Sequence, residues 1–445
     1  MPKINEKIFK SYDIRGTYPD QLNEEIAYLI GRAFACRSKA EEVTLGHDMR
    51  LSGPALKKAL IKGIIDEGVN VKDIGLMPID AVYASVGIFG DQAGIMITAS
   101  HNPSEYNGFK MVLKDMKWIR GEELLEDVKN LPEQTAKNKG QVRQEDIMDK
   151  YINHVMSFVD KDKIKPFKVV VDAGNGLAGR IIPELEKELP IKVRPLNFKL
   201  DGNFPAHPSN PLMPESQKQI TEAVKKEEAD FGAIFDGDTD RLFFVDEKGN
   251  FIAADITLLI LAKFFLEKEK GAGIVYNLIC SRSVPEYIKK WGGRPIRAKT
   301  GYVNISKKMR EEKGIMGGEL SAHYSFRRNA FADSGFISFL ILLEVLSKHN
   351  QPLSEIIKPF AKYVKSPETN VEIENAEEII NKIKEKYQDG RQDDLDGITV
   401  EYKDWWFNVR PSNTEPLLRI TVEADTKEIM EEKREELVNF IKQNK

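Results

Sequence analysis

The chain has 445 residues, 41% hydrophobic and 31% charged, which is the composition of a globular protein with room for three or four domains of about 100–150 residues. Its 66 basic and 70 acidic side chains give a net charge of −4, which argues against nucleic acid or an anionic membrane as the main partner. With two cysteines, no hydrophobic leader and no apolar run long enough for a bilayer, we expect a cytoplasmic protein that needs neither a membrane nor an obligatory protein partner.

The amino-terminal part of the chain predicts alternating strands and helices. Strands are predicted at 43–48, 69–74 and 95–97, and helices at 52–67 and 81–88. The last of these strands ends at Thr-Ala-Ser-His-Asn-Pro, residues 98–103, where small and polar residues replace apolar ones. A polar loop therefore follows a short buried strand.

Ser100 lies in that loop, at the carboxyl end of the strand, where α/β sheets bind their ligands. His101 is its neighbour, and Lys110 follows a short distance along the chain. Asn-Gly at 107–108 predicts a second turn, of the kind that needs positive φ. From the local pattern alone, an ordinary polar connection is the alternative to a functional loop.

The same order of elements recurs twice. The second copy predicts strands at 168–172, 191–196 and 230–235 and helices at 179–187 and 216–228. The third predicts strands at 273–277, 294–298 and 314–318 and helices at 284–291 and 304–313. Each copy ends in a polar loop after a short apolar strand, which indicates three similar α/β domains.

The last part of the chain has a different pattern. Helices are predicted at 377–386 and 427–443, a loop at 388–394, and strands at 397–402, 404–409 and 418–423. We therefore predict an α/β protein in which three similar mixed α/β domains stand in tandem, at residues 1–146, 147–250 and 251–363. A smaller C-terminal α+β domain, residues 364–445, completes the fold, and we expect the four to surround a central cleft.

Three carboxylates, Asp236, Asp238 and Asp240, directly follow a predicted strand at alternate positions. If the backbone stays extended there, their side chains share one side and form a hard oxygen cluster suited to Mg²⁺ or Ca²⁺. An EF-hand loop would need glycine where Arg241 stands, and helices rather than strands on its flanks. A solvated acidic turn is the other alternative, although three clustered carboxylates repel each other strongly when buried without a cation.

Two more polar loops follow later in the chain. Glu319, Ser321 and His323 offer a carboxylate, a hydroxyl and an imidazole at every second residue, a set suited to sugar hydroxyls. Residues 410–419 place two arginines and three small polar side chains around a proline-bounded turn. Arginine forks and turn amides are common ligands of phosphate.

These motifs together resemble the α-D-phosphohexomutases, and most closely the phosphomannomutase/phosphoglucomutase group. The loop at 98–103, with Asn-Gly-Phe-Lys at 107–110, is similar to the family's active-serine loop, and Asp-Gly-Asp-Thr-Asp-Arg at 236–241 to its metal loop. Tyr-Asp-Ile-Arg-Gly at 12–16, Gly-Glu-Leu-Ser-Ala-His at 318–323 and Arg-Pro-Ser-Asn-Thr-Glu-Pro at 410–416 resemble further family motifs. One position departs from the family, since Ala322 replaces a glycine; if positive φ is needed there, alanine costs about 1 kcal/mol.

The resemblance implies a role for each motif. Ser100 would carry the transferred phosphoryl group, with Arg15 reaching it, and the metal site would consist of Ser100, Asp236, Asp238 and Asp240 holding Mg²⁺. Catalytic assistance would come from His101, Lys110 and Arg241. The substrate would contact Lys299, Thr300, Gly301, Glu319, Ser321, His323, Arg410, Ser412, Asn413, Thr414 and Arg419.

The function that follows is a phosphohexomutase of the isomerase class, an enzyme of carbohydrate metabolism that interconverts the 1- and 6-phosphates of mannose or glucose. Glucose or mannose 1,6-bisphosphate would be both intermediate and activator. A phosphoglucosamine mutase, a phosphatase with Asp236 as nucleophile and a non-catalytic Ca²⁺-binding module are the alternatives. A serine hydrolase is disfavoured, because Ala-Ser-His at 99–101 is not a Gly-x-Ser-x-Gly elbow.

Overall fold

The structure, a computed structural model, describes residues 4–412 and 416–444. The first stretch of chain builds strands β1 (Ile14–Thr17), β2 (Glu42–His47), β3 (Asn70–Leu76), β4 (Ala93–Ile97), β5 (Tyr106–Leu113), β6 (Lys117–Trp118) and β7 (Val142–Gln144). Its helices are α1 (Glu24–Ser38), α2 (Gly53–Asp66), α3 (Ile79–Gly87) and α4 (Gly121–Lys129). The sheet order is β1-β5-β4-β2-β3-β7, with β6 paired to β5. Strand β4 is buried throughout, as its unbroken apolar run predicts, and it carries the Ser100 loop at its carboxyl end.

The predicted turn at Asn107-Gly108 is wrong. Both residues lie inside β5, which pairs antiparallel with β1 and with β4. Gly108 is needed for space rather than for positive φ, because a Cβ at this position would lie 2.0 Å from the carbonyl oxygen of Ile14. Close packing of two strands therefore explains the glycine that the sequence pattern assigned to a turn.

The second stretch repeats the plan. It contains helices α5 (Met148–Met156), α6 (Ala178–Glu188) and α7 (Pro214–Lys226) and strands β8 (Phe167–Asp172), β9 (Ile191–Leu196), β10 (Phe231–Phe235) and β11 (Leu242–Asp246). The sheet order is β11-β10-β8-β9. Strand β8 pairs in parallel with β9 on one side and β10 on the other, as β2 does with β3 and β4 in the first stretch. Strand β11 pairs antiparallel with β10.

The third stretch contains strands β12 (Gly273–Asn277), β13 (Arg294–Ala298), β14 (Gly314–Gly318), β15 (Tyr324–Phe326) and β16 (Ala332–Asp333). Its helices are α8 (Ala254–Lys268), α9 (Ser283–Lys290), α10 (Tyr302–Glu311), α11 (Gly335–His349) and α12 (Leu353–Ile357). Strand β12 again has the second and third strands of its copy as parallel neighbours. The predicted internal repeat is therefore confirmed by the topology of three sheets.

The last stretch is the predicted α+β fold. Strands β17 (Val364–Lys365), β18 (Thr369–Glu372), β19 (Arg391–Asp393), β20 (Ile398–Glu401), β21 (Trp405–Pro411) and β22 (Leu417–Ala424) form one antiparallel sheet, accompanied by helices α13 (Ala376–Lys386) and α14 (Lys427–Asn444). The order is β17-β22-β21-β20-β19, with β18 also paired to β22. Strand β19 lies where a loop was predicted. Its exposed edge position explains why its sequence lacks an apolar signal.

The described chain divides into two compact units. The first contains residues up to Ala253 together with Ser321–Ile356, and the second contains Ala254–Leu320 together with residues from Ile357 onward. The serine loop, the metal loop and the Ser321–His323 segment belong to the first unit, whereas Glu319 and the Arg410 segment belong to the second. Among the residues described, no helix has both the length and the apolar character needed to cross a bilayer.

Candidate active site

Ser100 occupies a strained and fully buried position at the end of β4. Its φ is +50°, a left-handed conformation that serine rarely adopts, and its residue exposure is 0%. Its Oγ donates a hydrogen bond to Asp236 Oδ2 at 2.8 Å and lies 3.2 Å from His101 Nδ1. The tertiary structure thus directs a hydroxyl of the first stretch at a carboxylate of the second.

The three carboxylates converge through a turn rather than along an extended strand. Thr239 has a φ of +68°, so the chain folds back between Asp238 and Asp240. One ligand atom from each of Asp236, Asp238 and Asp240 lies within 4.8 Å of the others, and all three residues are buried. The predicted cluster exists, but the alternation expected from an extended backbone is not what creates it.

Lys110 contacts two of the three carboxylates in this cluster. Its Nζ donates to Asp238 Oδ2 at 2.8 Å and to Asp240 Oδ2 at 2.5 Å, and the residue is 3% exposed. Lys110 lies in β5 opposite Met96 of β4, so the antiparallel pairing of the two strands brings it beside the serine loop. A buried lysine can offset only part of the charge of three carboxylates.

The burial and the uneven charge of this cluster shift the pKa values of two of its carboxyl groups in opposite directions. Burial, followed by repulsion from Asp240 and Asp238, raises the pKa of Asp236 well above its usual value. Burial acts on Asp240 in the same sense, but Lys110 and His323 outweigh it and hold its pKa well below the usual range. The Oδ1 atoms of Asp238 and Asp240 are buried and have no hydrogen-bond partner among the described residues. A hard divalent cation fits this set of oxygen donors.

Arg15 and Arg241 approach the same region from two sides. Arg15 donates to the Ala99 carbonyl at 3.3 Å and to Asn102 Oδ1 at 2.6 Å, so it contacts the serine loop directly. The backbone N–H of Arg241 donates to Asp236 Oδ1 at 3.3 Å. Burial, with these two positive charges, lowers the pKa of His101 well below its usual value, so its imidazole is neutral at neutral pH.

The segment Ser321-Ala322-His323 lies against the metal loop. His323 and Arg241 form an isolated antiparallel bridge, and Leu242 N donates to the Ala322 carbonyl at 3.4 Å. Ser321 Oγ lies 2.9 Å from His323 Nδ1, and His323 Nε2 lies 3.4 Å from Asp240 Oδ1. Ala322 does adopt a positive φ, +66°, so this departure from the family pattern carries the strain of about 1 kcal/mol expected for alanine.

Arg50 was missed by the sequence prediction, although it holds the serine loop in place. Its guanidinium is fully buried and donates to the carbonyl oxygens of Ser100 (2.9 Å), Asn102 (2.7 Å), Pro103 (2.6 Å) and Tyr106 (2.9 Å). Asp48 pairs with it at 3.2 Å. In the sequence, only its position two residues after a predicted strand pointed to a role, and a positive charge near a strand end is a weak signal.

In the second unit, Glu319 meets the segment Lys299–Gly301. Its Oε2 accepts from the backbone N–H of Gly301 at 2.8 Å, and Glu319 itself is 3% exposed. Gly301 has a φ of +112°, a conformation open only to glycine in practice, and it directs this N–H at the carboxylate. Thr300 N donates to Asp396 at 3.3 Å, and Lys299 is exposed to solvent. Two predicted substrate-binding segments are therefore neighbours within this unit.

Arg410 and Arg419 also lie together, on neighbouring strands. They are cross-strand partners in β21 and β22, and both donate to Glu368, at 2.7 Å from Arg410 and 2.9 Å from Arg419. Arg419 Nη2 lies 3.5 Å from Ser412 Oγ. Glu368 was not predicted, and it presents to the two guanidiniums the kind of oxygen pair that a phosphate would present. The predicted contacts Asn413 and Thr414 lie outside the described residues.

Profiles of a single protein family match almost the whole chain. The profiles described as phosphoglucomutase/phosphomannomutase, alpha/beta/alpha domains I, II and III, match residues 6–136, 149–249 and 253–363. The profile of the C-terminal domain of the same family matches residues 368–440. The matches occur in order and leave only short stretches uncovered.

Individual relatives cover nearly the full length. A phosphomannomutase of Escherichia coli is 39% identical over 98% of this chain and 99% of its own, and a phosphomannomutase/phosphoglucomutase of Pseudomonas aeruginosa is 39% identical over 97% and 94%. A solved structure of a phosphoglucomutase/phosphomannomutase family protein from Burkholderia thailandensis superposes with a TM-score of 0.92 at 32% identity, covering 99% and 98% of the two chains. An Aspergillus fumigatus N-acetylphosphoglucosamine mutase, solved with GlcNAc-6P and magnesium, shares the fold at a TM-score of 0.62 and 14% identity over 99% and 96%.

Proposed function

The chain belongs to the phosphoglucomutase/phosphomannomutase family, and from that premise we propose that it is a phosphohexomutase in which Ser100 carries the transferred phosphoryl group. Its substrates are the 1- and 6-phosphates of mannose, glucose or both, in keeping with the names of its relatives. The reaction is an intramolecular phosphoryl transfer overall, and therefore an isomerisation.

One observation carries the assignment of Ser100. Its buried hydroxyl donates to Asp236 at 2.8 Å, inside a group of three carboxylates that Lys110 also contacts. A structural serine needs no such surroundings, because any backbone carbonyl satisfies a buried hydroxyl. Phosphoryl transfer does need them, since it depends on alignment and charge neutralisation more than on covalent chemistry by the protein.

The reaction requires two transfers in opposite directions. In the first, a free hydroxyl of the hexose monophosphate attacks the phosphorus on Ser100. The bond to Ser100 Oγ breaks, a bond to the sugar oxygen forms, the sugar hydroxyl loses its proton, and Oγ takes one up. In the second, after the hexose 1,6-bisphosphate has turned around, Ser100 Oγ loses its proton and attacks the other phosphorus. The bond from that phosphorus to the sugar oxygen breaks, and the sugar oxygen takes up a proton. The other hexose monophosphate is then released.

The residues around Ser100 suit these steps. His101 is neutral and lies 3.2 Å from Oγ, so it can accept the serine proton in the second transfer. Arg15 contacts the loop, and Lys110 and Arg241 contact the carboxylates, so three positive charges flank a phosphoryl group that carries nearly two negative ones. For the sugar proton, the candidates are His101, Lys110 and His323, the last of which lies 3.4 Å from Asp240.

Asp236, Asp238 and Asp240 would hold Mg²⁺ together with phosphorylated Ser100. A cation there supplies charge neutralisation on the phosphoryl oxygens. The unpartnered carboxylate oxygens of Asp238 and Asp240 support this assignment, as does the raised pKa of Asp236. Glucose or mannose 1,6-bisphosphate would serve as activator, because it can phosphorylate a dephosphorylated Ser100.

Substrate recognition divides between two sets of residues. We assign the sugar hydroxyls to Glu319, Ser321 and His323, together with the segment Lys299, Thr300 and Gly301, whose Gly301 N–H donates to Glu319 at 2.8 Å. We assign the phosphate that is not reacting to Arg410, Ser412, Asn413, Thr414 and Arg419. Arginine can bind phosphate through two charge-assisted hydrogen bonds, whereas Glu319 would repel phosphate but accepts well from hydroxyls.

Intact mass before and after incubation with glucose 1,6-bisphosphate tests the proposal. The wild type should gain one phosphoryl group that peptide mapping places on Ser100, and Ser100→Ala should gain none. Ser104→Ala is the matched control, because Ser104 is exposed in the same loop and should leave labelling intact. A coupled assay on mannose, glucose and glucosamine phosphates then identifies the sugar. Label on Asp236 with release of free phosphate would contradict the proposal and favour a phosphatase.

A further inference from the structure

Two helices contact the metal loop through their first turns. Ile79, the first residue of α3, donates its backbone N–H to the Asp238 carbonyl at 3.3 Å. Gly335, the first residue of α11, donates its backbone N–H to the Thr239 carbonyl at 3.2 Å. Asp238 is one of the three clustered carboxylates, and Thr239 separates it from Asp240, so the positions of the two helix ends determine where both side chains point.

The loop depends on these neighbours because its backbone is strained. Thr239 has a φ of +68°, which a β-branched residue rarely adopts. Gly335 lies so close to it that a Cβ at this position would be 2.7 Å from the Thr239 carbonyl oxygen. Strained backbone persists only where the surrounding structure constrains it. The start of α11 supplies one such constraint.

Asp80 joins the two helices at this point. It lies in the first turn of α3, is buried, and accepts hydrogen bonds at Oδ2 from Ser334 Oγ and, at 2.7 Å, from the hydroxyl of Tyr151 in α5. Ser334 is the N-cap of α11, where its Oγ also accepts from the Ile337 N–H at 3.2 Å. One carboxylate therefore fixes the start of α11 relative to the start of α3, and α5 supports it.

We propose that Asp80 is a positioning residue for the metal site, which acts on Asp238 and Asp240 through the first turns of α3 and α11. The inference rests on the proposed function, because it takes the three-aspartate cluster as the site of Mg²⁺. The bond to Ser334 distinguishes this role from ordinary core packing, since Ser334 directly precedes the N–H that contacts the metal loop. A carboxylate that served only to anchor α5 would need Tyr151 alone.

Removing the Asp80 carboxylate should disturb the metal site in two steps. Two buried hydroxyls would lose their shared acceptor, and the starts of α3 and α11 would no longer be joined through it. Mg²⁺ demands near-ideal octahedral geometry with short bonds, so small displacements of its ligands weaken binding. Loss of a partner outside the ligand shell commonly lowers metal affinity by about 10–100-fold.

Hydrogen–deuterium exchange of the metal-free, full-length protein measures the loop, and Mn²⁺ titration followed by electron paramagnetic resonance measures the site. Mn²⁺ prefers the same oxygen ligands as Mg²⁺. In Asp80→Ala, amides of residues 236–242 should exchange roughly tenfold faster or more, and Mn²⁺ should bind roughly 10–100-fold more weakly. Asp80→Asn should match the wild type in both, because its amide oxygen can accept from the two hydroxyls and its shape is the same.

Asp66→Ala is the matched control for general destabilisation. Asp66 is also buried and also accepts from a tyrosine hydroxyl, that of Tyr28 at 2.9 Å, but it lies at the end of α2. This variant should leave exchange of the metal loop and Mn²⁺ affinity close to those of the wild type. Asp80→Leu replaces Asp80→Ala if the latter does not fold, because it keeps the side-chain shape and removes only the oxygens. The same faster exchange and weaker Mn²⁺ binding are expected.

The proposal is overturned if either loop exchange or Mn²⁺ affinity in Asp80→Ala matches that in Asp66→Ala, and also if Asp80→Asn is as impaired as Asp80→Ala. Failure of the proposed function has a different signature, namely a wild type that binds no Mn²⁺ or gains no phosphoryl group on Ser100. In that case the exchange of the metal-free loop alone decides whether Asp80 positions it.

Discussion

Replacing Arg50 by lysine should loosen the serine loop while leaving a positive charge beside Asp48. The guanidinium of Arg50 donates to four carbonyl oxygens between Ser100 and Tyr106, two from each terminal nitrogen. A lysine ammonium is a single point with three donors, so it cannot span the loop as the planar fork does. At least two of those carbonyl groups should lose their partner.

The expected magnitude follows from that count. A buried acceptor left without a partner costs about 1–3 kcal/mol. Because Pro103, Ser104 and Glu105 are exposed, water can reach part of the loop, and we take the lower half of that range for two carbonyl groups. The free energy needed to open the serine loop should therefore be about 2–4 kcal/mol lower in Arg50→Lys than in the wild type. This difference corresponds to roughly 30- to 900-fold faster amide exchange in the loop. A serine displaced by about 1 Å should also lower kcat by roughly 100-fold.

Hydrogen–deuterium exchange of the peptide containing residues 99–106, read by mass spectrometry, measures the first effect, and the coupled mutase assay measures the second. Arg143→Lys is the matched control, because Arg143 is exposed and pairs with Glu42 and Glu145 on the surface of the same unit. Such pairs contribute about 0–1 kcal/mol, so exchange near Arg143 should rise less than tenfold. If Arg50→Lys exchanged and turned over like Arg143→Lys, the role assigned to the guanidinium fork would be wrong.

Four further predictions, which use five substitutions, test other parts of the molecule. Asp238→Asn should lower mutase turnover far more than the melting temperature, since it removes a metal ligand but keeps side-chain volume; an unchanged rate across a Mg²⁺ titration would exclude this loop from the mechanism. Arg410→Ala should lower kcat/KM equally for mannose 1-phosphate and glucose 1-phosphate, whereas Glu319→Gln should lower both and is the variant in which their ratio can change; a changed ratio in Arg410→Ala alone would reverse the two assignments. Glu368→Gln should lower KM several-fold for both substrates at constant kcat, because the carboxylate competes with phosphate for two arginines; a raised KM would mean that Glu368 orients them instead. Burial raises the pKa of Asp80 to about 7, so the folded protein keeps a proton there that the unfolded chain loses near pH 4, and unfolding free energy should fall relative to Asp80→Asn as pH rises from about 4 to 7; parallel stability curves would contradict this.

Much of the fold was predictable because its signals are local. Buried parallel strands appear as short apolar runs, and helices as longer periodic ones, so the three strand–helix copies could be identified without any tertiary contact. Position at a strand end is also a local property, which is why Ser100 and the three aspartates could be proposed as site residues. Strand β19 was missed because an exposed edge strand carries no apolar signal.

What the tertiary structure alone decided are the contacts between distant segments. Arg50 binds a loop that lies about fifty residues further along the chain. Asp236 accepts a hydrogen bond from Ser100, although the two residues follow strands of different sheets. Asp333 lies close to Asp240 because the start of α11 is hydrogen-bonded to the metal loop. Gly108 looked like a turn residue and proved to be a point of close contact between strands. Sequence periodicity specifies which face of an element is buried, but it does not specify which other element covers that face. Packing settles that choice, and with it the partners of every buried charge in the site.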